Sequence, residues 1–166
     1  MLESLREGLS VTAESGSATI RLMRLFDAPP SAVFEAWTNA DQVAQWWDPS
    51  GAPLAICEID LRPGGKFRWV HRGDKRREHP FTRTYRTIAP PDQLVFAART
   101  FPSSPESVAT LNFVEDGGGT KFVMTIECES VEDRDALLAM RVDVGTARTL
   151  ENLATFLLKS GRVEQK

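Results

Sequence analysis

The sequence of 166 residues has little of several features that would mark a special class of protein. Its two cysteines, Cys57 and Cys128, lie far apart among apolar neighbours, so each is expected to be a small buried hydrophobic side chain and not half of a disulfide. No apolar run approaches the roughly 20 residues of a bilayer span, so no integral membrane association is predicted. The first residues lack the continuous apolar core of a secretory signal, and the predicted location is cytoplasmic.

The sequence also lacks an excess of charge of one sign. It has 20 basic and 23 acidic residues, and its formal net charge is −3. Proteins that bind nucleic acid usually carry a strong positive excess, so no nucleic-acid partner is predicted. The one basic cluster, at residues 72–77, contains a Gly-Asp turn signal between two strand-like segments and is interpreted as an exposed hairpin tip.

Motifs for catalysis and metal binding are absent as well. His71 and His79 flank the basic cluster, and Glu58 or Asp60 is a conceivable third ligand, but zinc needs three or four ligands at about 2 Å. No His-Glu-x-x-His, Gly-x-Ser-x-Gly or phosphate-binding glycine motif occurs. We therefore predict no metal, no cofactor and no identified catalytic residue.

The composition is that of one ordinary globular domain, with 42% hydrophobic and 26% charged residues. Residues 1–16 end in Glu-Ser-Gly and are predicted to be a loose leader. The single domain is predicted over residues 17–160, with a C-terminal tail over residues 161–166.

Hydrophobic periodicity predicts an α+β fold. Residues 19–26 have the pattern of a half-buried strand, and Pro30 can open a helix in which Val33, Phe34 and Trp37 recur at helical spacing. A second short helix is predicted over 41–47. The strand-like segments that follow, separated by glycine and proline turn signals, predict an antiparallel meander over 54–60, 66–72, 78–88, 93–101, 107–115 and 120–129. Apolar residues then recur at helical spacing over 131–160, where Gly145 is expected to mark a break or kink.

Three groups of residues carry a family resemblance. They are the Ala-Pro-Pro helix start at 28–30, the Trp-Trp pair at 46–47 and the Asp-Leu-Arg-Pro-Gly-Gly turn at 60–65. In this order they resemble the activator of heat-shock protein 90 ATPase-like family of the START-related helix-grip superfamily. The resemblance implies a curved antiparallel sheet around a long C-terminal helix, two short helices after the first strand, and a pocket.

The chain departs from the family pattern at three positions. Asp48 follows the Trp-Trp pair where many relatives have glycine, Arg83 replaces a glycine two residues before Tyr85, and Thr146 follows Gly145 where relatives often have tryptophan. A charged side chain in place of glycine, and a small one in place of tryptophan, should reshape the pocket. The identity of a relative's ligand is therefore not transferred.

Strand alternation and helical spacing predict an apolar cavity between the sheet and the C-terminal helix. Neighbouring helical residues point about 100° apart, so one of Trp46 and Trp47 is expected in the core and the other at the cavity. The residues predicted to line the cavity and contact a ligand are Trp47, Phe67, Trp69, His71, Tyr85, Phe96, Met140 and Val144.

Three functions remain open at this point. The first is a binding protein for a small hydrophobic or amphipathic ligand, acting as a monomer or homodimer. The second is a cyclase- or aromatase-like enzyme, which would need a polar group with a shifted pKa deep in the pocket, as His71 would be. The third is a module that regulates a chaperone ATPase, which the family name alone suggests.

Overall fold

The computed structural model of the chain describes residues 2–6, 9–73, 81–99 and 105–164. In these ranges nine strands form one antiparallel sheet, accompanied by four helices. The strands are β1 (Leu2–Arg6), β2 (Leu9–Ala13), β3 (Thr19–Phe26), β4 (Ile56–Ile59), β5 (Lys66–Val70), β6 (Phe81–Ala89), β7 (Gln93–Arg99), β8 (Glu106–Asp116) and β9 (Gly119–Glu127). The helices are α1 (Pro30–Thr38), α2 (Ala40–Trp46), α3 (Val131–Ala139) and α4 (Val142–Glu164).

The strand order in the sheet is β1-β2-β3-β9-β8-β7-β6-β5-β4. Strands β4 to β9 are therefore a meander in which each strand pairs with the next one in the chain, and β3 closes onto β9. The helices pack on one face of this sheet, which we call the inner face. The predicted α+β helix-grip fold is confirmed.

The N-terminal segment differs from the predicted loose leader, because β1 and β2 extend the sheet beyond β3. In β2, Leu9, Val11 and Ala13 are buried on alternating positions, and the strand pairs along β3. Arg134 of α3 is buried and its guanidinium donates hydrogen bonds to the carbonyl oxygens of Glu14 and Ser17, which fixes the turn between the two strands. The short apolar alternation in β2 is the signal that the leader prediction overlooked.

The two short helices begin where the sequence predicts. Pro30 occupies the first turn of α1, where the missing N–H costs little, and the helix buries Val33 and Trp37. Asn39 lies between the helices, and its side chain accepts hydrogen bonds from the backbone N–H groups of Asp41 and Gln42. This cap starts α2 immediately after α1 and orients Trp46 towards the core.

The C-terminal helical region is broken at a different place from the one predicted. Helix α3 ends at Ala139, and Arg141 adopts a left-handed backbone conformation with φ of 60°. Helix α4 begins at Val142, and Gly145 lies inside it and donates its N–H to the carbonyl oxygen of Arg141. Because α4 continues to Glu164, most of the predicted tail at 161–166 is helical.

The two cysteines are half-buried and free. Burial raises the pKa of the Cys57 thiol to about 11, and the carboxylates of Asp41 and Glu58 act in the same direction. Within the described ranges, no helix is both long enough and apolar enough to cross a bilayer. The predicted hairpin tip falls mostly outside the described residues, which stop at Gly73 and resume at Phe81.

Candidate functional site

A cleft lies between the inner face of the sheet and the junction of α3 and α4. It has two adjoining arms of about 260 and 210 Å³, which share Trp69, Arg83 and Val142 among their lining residues. The first arm, here called the tryptophan arm, is lined by Trp37, Trp47, Pro49, Trp69, His71, Phe81, Arg83, Met124, Ile126, Val142, Gly145, Thr146, Thr149 and Leu150. The second, the strand arm, extends over Phe96, Ala98, Ser107 and Ala109 and reaches Leu137 of α3.

Small side chains on neighbouring strands explain why this part of the interior is unfilled. Antiparallel pairing places Arg83 beside Phe67 on one side and beside Ala98 on the other, and Ala98 is in turn opposite Ser107. Alanine and serine are too short to reach the helices from the sheet. The break at Arg141 lies above them, so no continuous helical ridge covers the strand arm.

One wall of the tryptophan arm is an aromatic cluster. Trp47 meets the rings of Phe67 and Trp69 edge-on, at centroid separations of 5.1 and 5.3 Å. Phe67 and Trp69, two residues apart on β5, stack at 4.7 Å, and Trp69 stacks on Phe81 of β6 at 5.5 Å. Such ring pairs add about 0.5–1.5 kcal/mol each beyond burial, so the wall is rigid before any ligand arrives.

The Trp46-Trp47 pair divides as predicted. Trp46 is 1% exposed, and its indole N–H donates to the carbonyl oxygen of Ala36 at 3.0 Å, so it belongs to the core. Trp47 is 9% exposed and lies on the wall of the cleft. The backbone carbonyl of Trp47 accepts a hydrogen bond from the Thr149 hydroxyl at 3.2 Å, which ties this wall to α4.

A chain of hydrogen bonds runs along the edge of the tryptophan arm. The indole N–H of Trp69 donates to Nε2 of His71 at 3.3 Å, and Nδ1 of His71 lies 3.0 Å from the Asp48 carboxylate. An indole nitrogen can only donate, so Nε2 must be the acceptor and the ring proton is on Nδ1, directed at Asp48. Both ring nitrogens of His71 are therefore engaged within the protein.

Asp48 anchors that chain. Burial raises the pKa of its carboxyl group, but hydrogen bonds from Ser50 and the contact with His71 outweigh burial and lower the pKa below the ordinary value. The Asp48 carbonyl oxygen also accepts a hydrogen bond from the Asn152 side chain of α4 at 2.9 Å. The residue that departs from the family pattern after the Trp-Trp pair therefore links the loop after α2 to both β5 and α4.

Arg83 carries a positive charge into the cleft. The centre of its guanidinium lies 5.1, 5.3 and 4.9 Å from the ring centroids of Trp47, Trp69 and Phe96. Burial lowers the pKa of Arg83 to about 10, against the opposing influence of Tyr85, so the group is still charged at neutral pH. It forms no hydrogen bond or ion pair with any residue that the structure describes.

A second donor on the wall of the cleft also lacks a partner. Trp37 is 5% exposed and lines the tryptophan arm, and its indole nitrogen is buried without a hydrogen bond to the described part of the chain. Trp37 and Arg83 both contact the ring of Trp47. A buried N–H without an acceptor is costly, so this group is unusual in a protein interior.

The structure brings together only part of the predicted set. Trp47, Trp69, His71 and Phe96 line the cleft, and Phe67 supports its wall, whereas Tyr85 is buried away from the lining. The other two predicted residues, Met140 and Val144, line neither arm of the cleft. The break at Arg141 changes the helical register, so Val142, Gly145 and Thr149 face the cleft, while Met140 is 41% exposed.

Among the lining residues that the predicted set lacks, Arg83 and Trp37 carry polar groups. Arg83 had a signal, because it replaces a glycine of the family pattern, but its orientation depends on the pairing of β5, β6 and β7. Among the described residues, no group of three or more His, Cys, Asp or Glu side chains could hold a metal ion. His79, the second histidine considered for such a site, is outside those residues.

The comparisons agree with this architecture. The family model for activator of Hsp90 ATPase homolog 1-like proteins matches residues 27–157, which cover α1 to most of α4. The chain belongs to this family. No protein of curated function matches the sequence.

Solved structures of similar fold come from several bacteria. A protein of Rhodobacter sphaeroides is 25% identical with a TM-score of 0.77, over 90% of this chain and 98% of that one. A protein of Nitrosomonas europaea is 20% identical with a TM-score of 0.75, over 87% and 97% of the two chains. CalU16 of Micromonospora echinospora is 21% identical with a TM-score of 0.63, over 98% and 87%. These similarities agree with the fold described above and say nothing of a ligand.

Proposed function

We propose that this protein binds a small amphipathic molecule in the cleft between the sheet and the α3–α4 junction. The observation that carries the proposal is the cleft itself, with an aromatic wall and few polar groups, which is the general form of a ligand site. The two joined arms reach the lower part of the roughly 300–1,000 Å³ typical of ligand pockets. A ligand with an aromatic or similarly flat apolar body suits the Trp47, Phe67 and Trp69 wall.

The arrangement of His71 favours binding over catalysis. A general base needs a free lone pair within reach of the substrate, but Nε2 of His71 accepts from Trp69 and Nδ1 donates to Asp48. Catalysis by His71 would first have to break one of these bonds. This chain of hydrogen bonds acts instead as a brace between β5 and the loop after α2. A cyclase-like reaction remains an alternative, but His71 supplies no free acid or base to support it. Regulation of a chaperone ATPase rests on the family name alone and is not proposed for this chain.

Calorimetric titration with 2-naphthamide, a neutral bicyclic aromatic, tests the proposal. We expect saturable binding with one site per chain. Ala98→Leu should weaken it at least about tenfold, because the larger side chain would occupy the strand arm, and a tenfold change corresponds to about 1.4 kcal/mol. Ala89→Leu makes the same chemical change at an exposed position, the last residue of β6, and should leave binding unchanged. Absence of saturable heat with the wild-type protein, or equal weakening by both variants, would contradict the proposal.

A further inference from the structure

The cleft contains a cation, Arg83, that no carboxylate of the described residues pairs with. The guanidinium of Arg83 lies within 5.3 Å of the centroids of three aromatic rings, Trp47, Trp69 and Phe96. Aromatic faces attract a cation, but they do not accept its N–H groups in the strong, directed hydrogen bonds that a carboxylate forms. Taking a charged group out of water without such partners is costly. The arrangement therefore holds Arg83 in a defined place with its hydrogen-bonding capacity unused by the described residues.

The surroundings orient this cation towards the cleft. Arg83 is flanked on the sheet by Phe67 and Ala98, neither of which can bond to it, and it lines both arms of the cleft. The carboxylate of Asp48, which contacts His71 at the edge of the tryptophan arm, is already held by His71 and Ser50. Trp37, whose buried indole N–H has no partner among the described residues, also lines the tryptophan arm and contacts the ring of Trp47. A guanidinium held among aromatic rings, with no carboxylate paired to it among the described residues, describes a site for an acceptor group on the ligand.

We infer that the ligand of this cleft carries an anionic oxygen group, such as a carboxylate, which pairs with Arg83 while an apolar body occupies the aromatic wall. This inference rests on the proposed binding function and specifies the chemical class of the ligand. A planar guanidinium recognises a carboxylate by two parallel hydrogen bonds, so the aromatic rings that hold its plane also fix the direction from which the carboxylate approaches.

A pair of probes of equal shape separates the charge from the apolar body. The affinities of 2-naphthoate and 2-naphthamide, which differ by a carboxylate against a neutral amide, are to be measured by calorimetry at low ionic strength. We expect the wild-type protein to bind 2-naphthoate at least roughly tenfold more tightly, as hydrogen bonds to charged groups warrant. Arg83→Met, which keeps the length and apolar contacts of the side chain, should remove this preference and retain binding of the amide. Arg83→Lys should keep part of the preference, because it restores the charge without the planar fork.

Arg68→Met is the matched control. Arg68 is exposed on β5 on the opposite face from Trp69, so this variant loses the same charge from the protein without altering the cleft, and the preference for 2-naphthoate should persist. Equal affinity of the wild-type protein for both probes, or an unchanged preference in Arg83→Met, would overturn the inference and leave the binding function intact. If neither probe binds the wild-type protein, both the inference and the proposed function fail. The wild-type ratio decides the question even if Arg83→Met does not fold.

Discussion

The interior of this protein has a filled half and an open half, and they use aromatic residues differently. In the filled half, beneath α1, rings contact rings: Trp37 stacks on Phe122 at 5.6 Å, and Phe34 meets Phe113 edge-on at 5.4 Å. In the open half, beneath the α3–α4 junction, Trp47 and Trp69 contact each other but also face a guanidinium, and Trp69 borders the unfilled strand arm. Trp37 contacts both halves.

The difference between the two halves separates the contribution of aromatic residues to folding stability from their contribution to ligand binding. Close packing in the filled half supplies stability, because each buried ring is surrounded by other side chains and its removal would leave a cavity. The open half already contains unfilled space, so changes of size there should affect binding more than folding. The two halves can therefore be tested with variants of the same chemistry.

The largest expected effect comes from emptying the filled half. Phe122 is fully buried and contacts the rings of Phe26, Trp37 and Phe113. We expect Phe122→Ala to lower the free energy of unfolding by about 3–5 kcal/mol, measured by urea denaturation. A loss below about 1 kcal/mol would mean that this half is not close-packed, and the distinction between a filled and an open half would be wrong.

Replacing one alanine by leucine in each half should give a smaller and more specific loss of folding stability. Ala36 is fully buried in α1, whereas Ala98 is half-buried and lines the strand arm. Ala36→Leu should destabilise the protein by about 1–3 kcal/mol through overpacking, and Ala98→Leu by less than about 1 kcal/mol because space is available. Urea denaturation of both variants measures the difference. Equal losses would show that the cleft closes in solution.

The smallest loss of folding stability is expected at Asp48, whose hydrogen bonds join the loop after α2 to His71 and to α4. The pKa of its carboxyl group is lower in the folded protein than the ordinary 3.8, so the unfolded chain binds more protons and the contribution of Asp48 is present above that pH. We expect Asp48→Asn to lower the free energy of unfolding by about 0.5–1.5 kcal/mol at pH 7, the usual worth of a hydrogen bond. The difference between wild type and variant should shrink as the pH falls below about 4. Thermal unfolding at pH 7 and pH 3 measures it, and a difference that grows towards low pH would contradict the assigned role.

Much of the fold could be predicted from local pattern. Alternating apolar residues and turn signals located β3 and the meander from β4 to β9, and Pro30 located the start of α1, because these features act over a few residues. The overlooked strand β2 carries the same kind of signal in Leu9 and Val11, but it is only five residues long.

The features that shape the cleft depend on contacts distant in sequence. The break at Arg141 has no glycine or proline to announce it, and the nearby Gly145 remains helical, so the predicted register placed Val144 and Met140 wrongly. Arg83 was recognised as unusual, but its position among Trp47, Trp69 and Phe96 requires the pairing of three strands and the loop after α2. The brace of Asp48 to His71 likewise joins residues 23 positions apart.

The most direct test of the central claim, that the open half binds a ligand and the filled half does not, uses the four tryptophan indole N–H groups as reporters. Their ¹H–¹⁵N resonances, assigned with single Trp→Phe variants, are to be followed while 2-naphthamide is added. We predict saturable shifts for Trp37 and Trp47, which line the cleft, and a much smaller shift for Trp46, which is held in the core by Ala36. No saturable shift at Trp37 and Trp47, or a shift at Trp46 as large as theirs, would contradict the account.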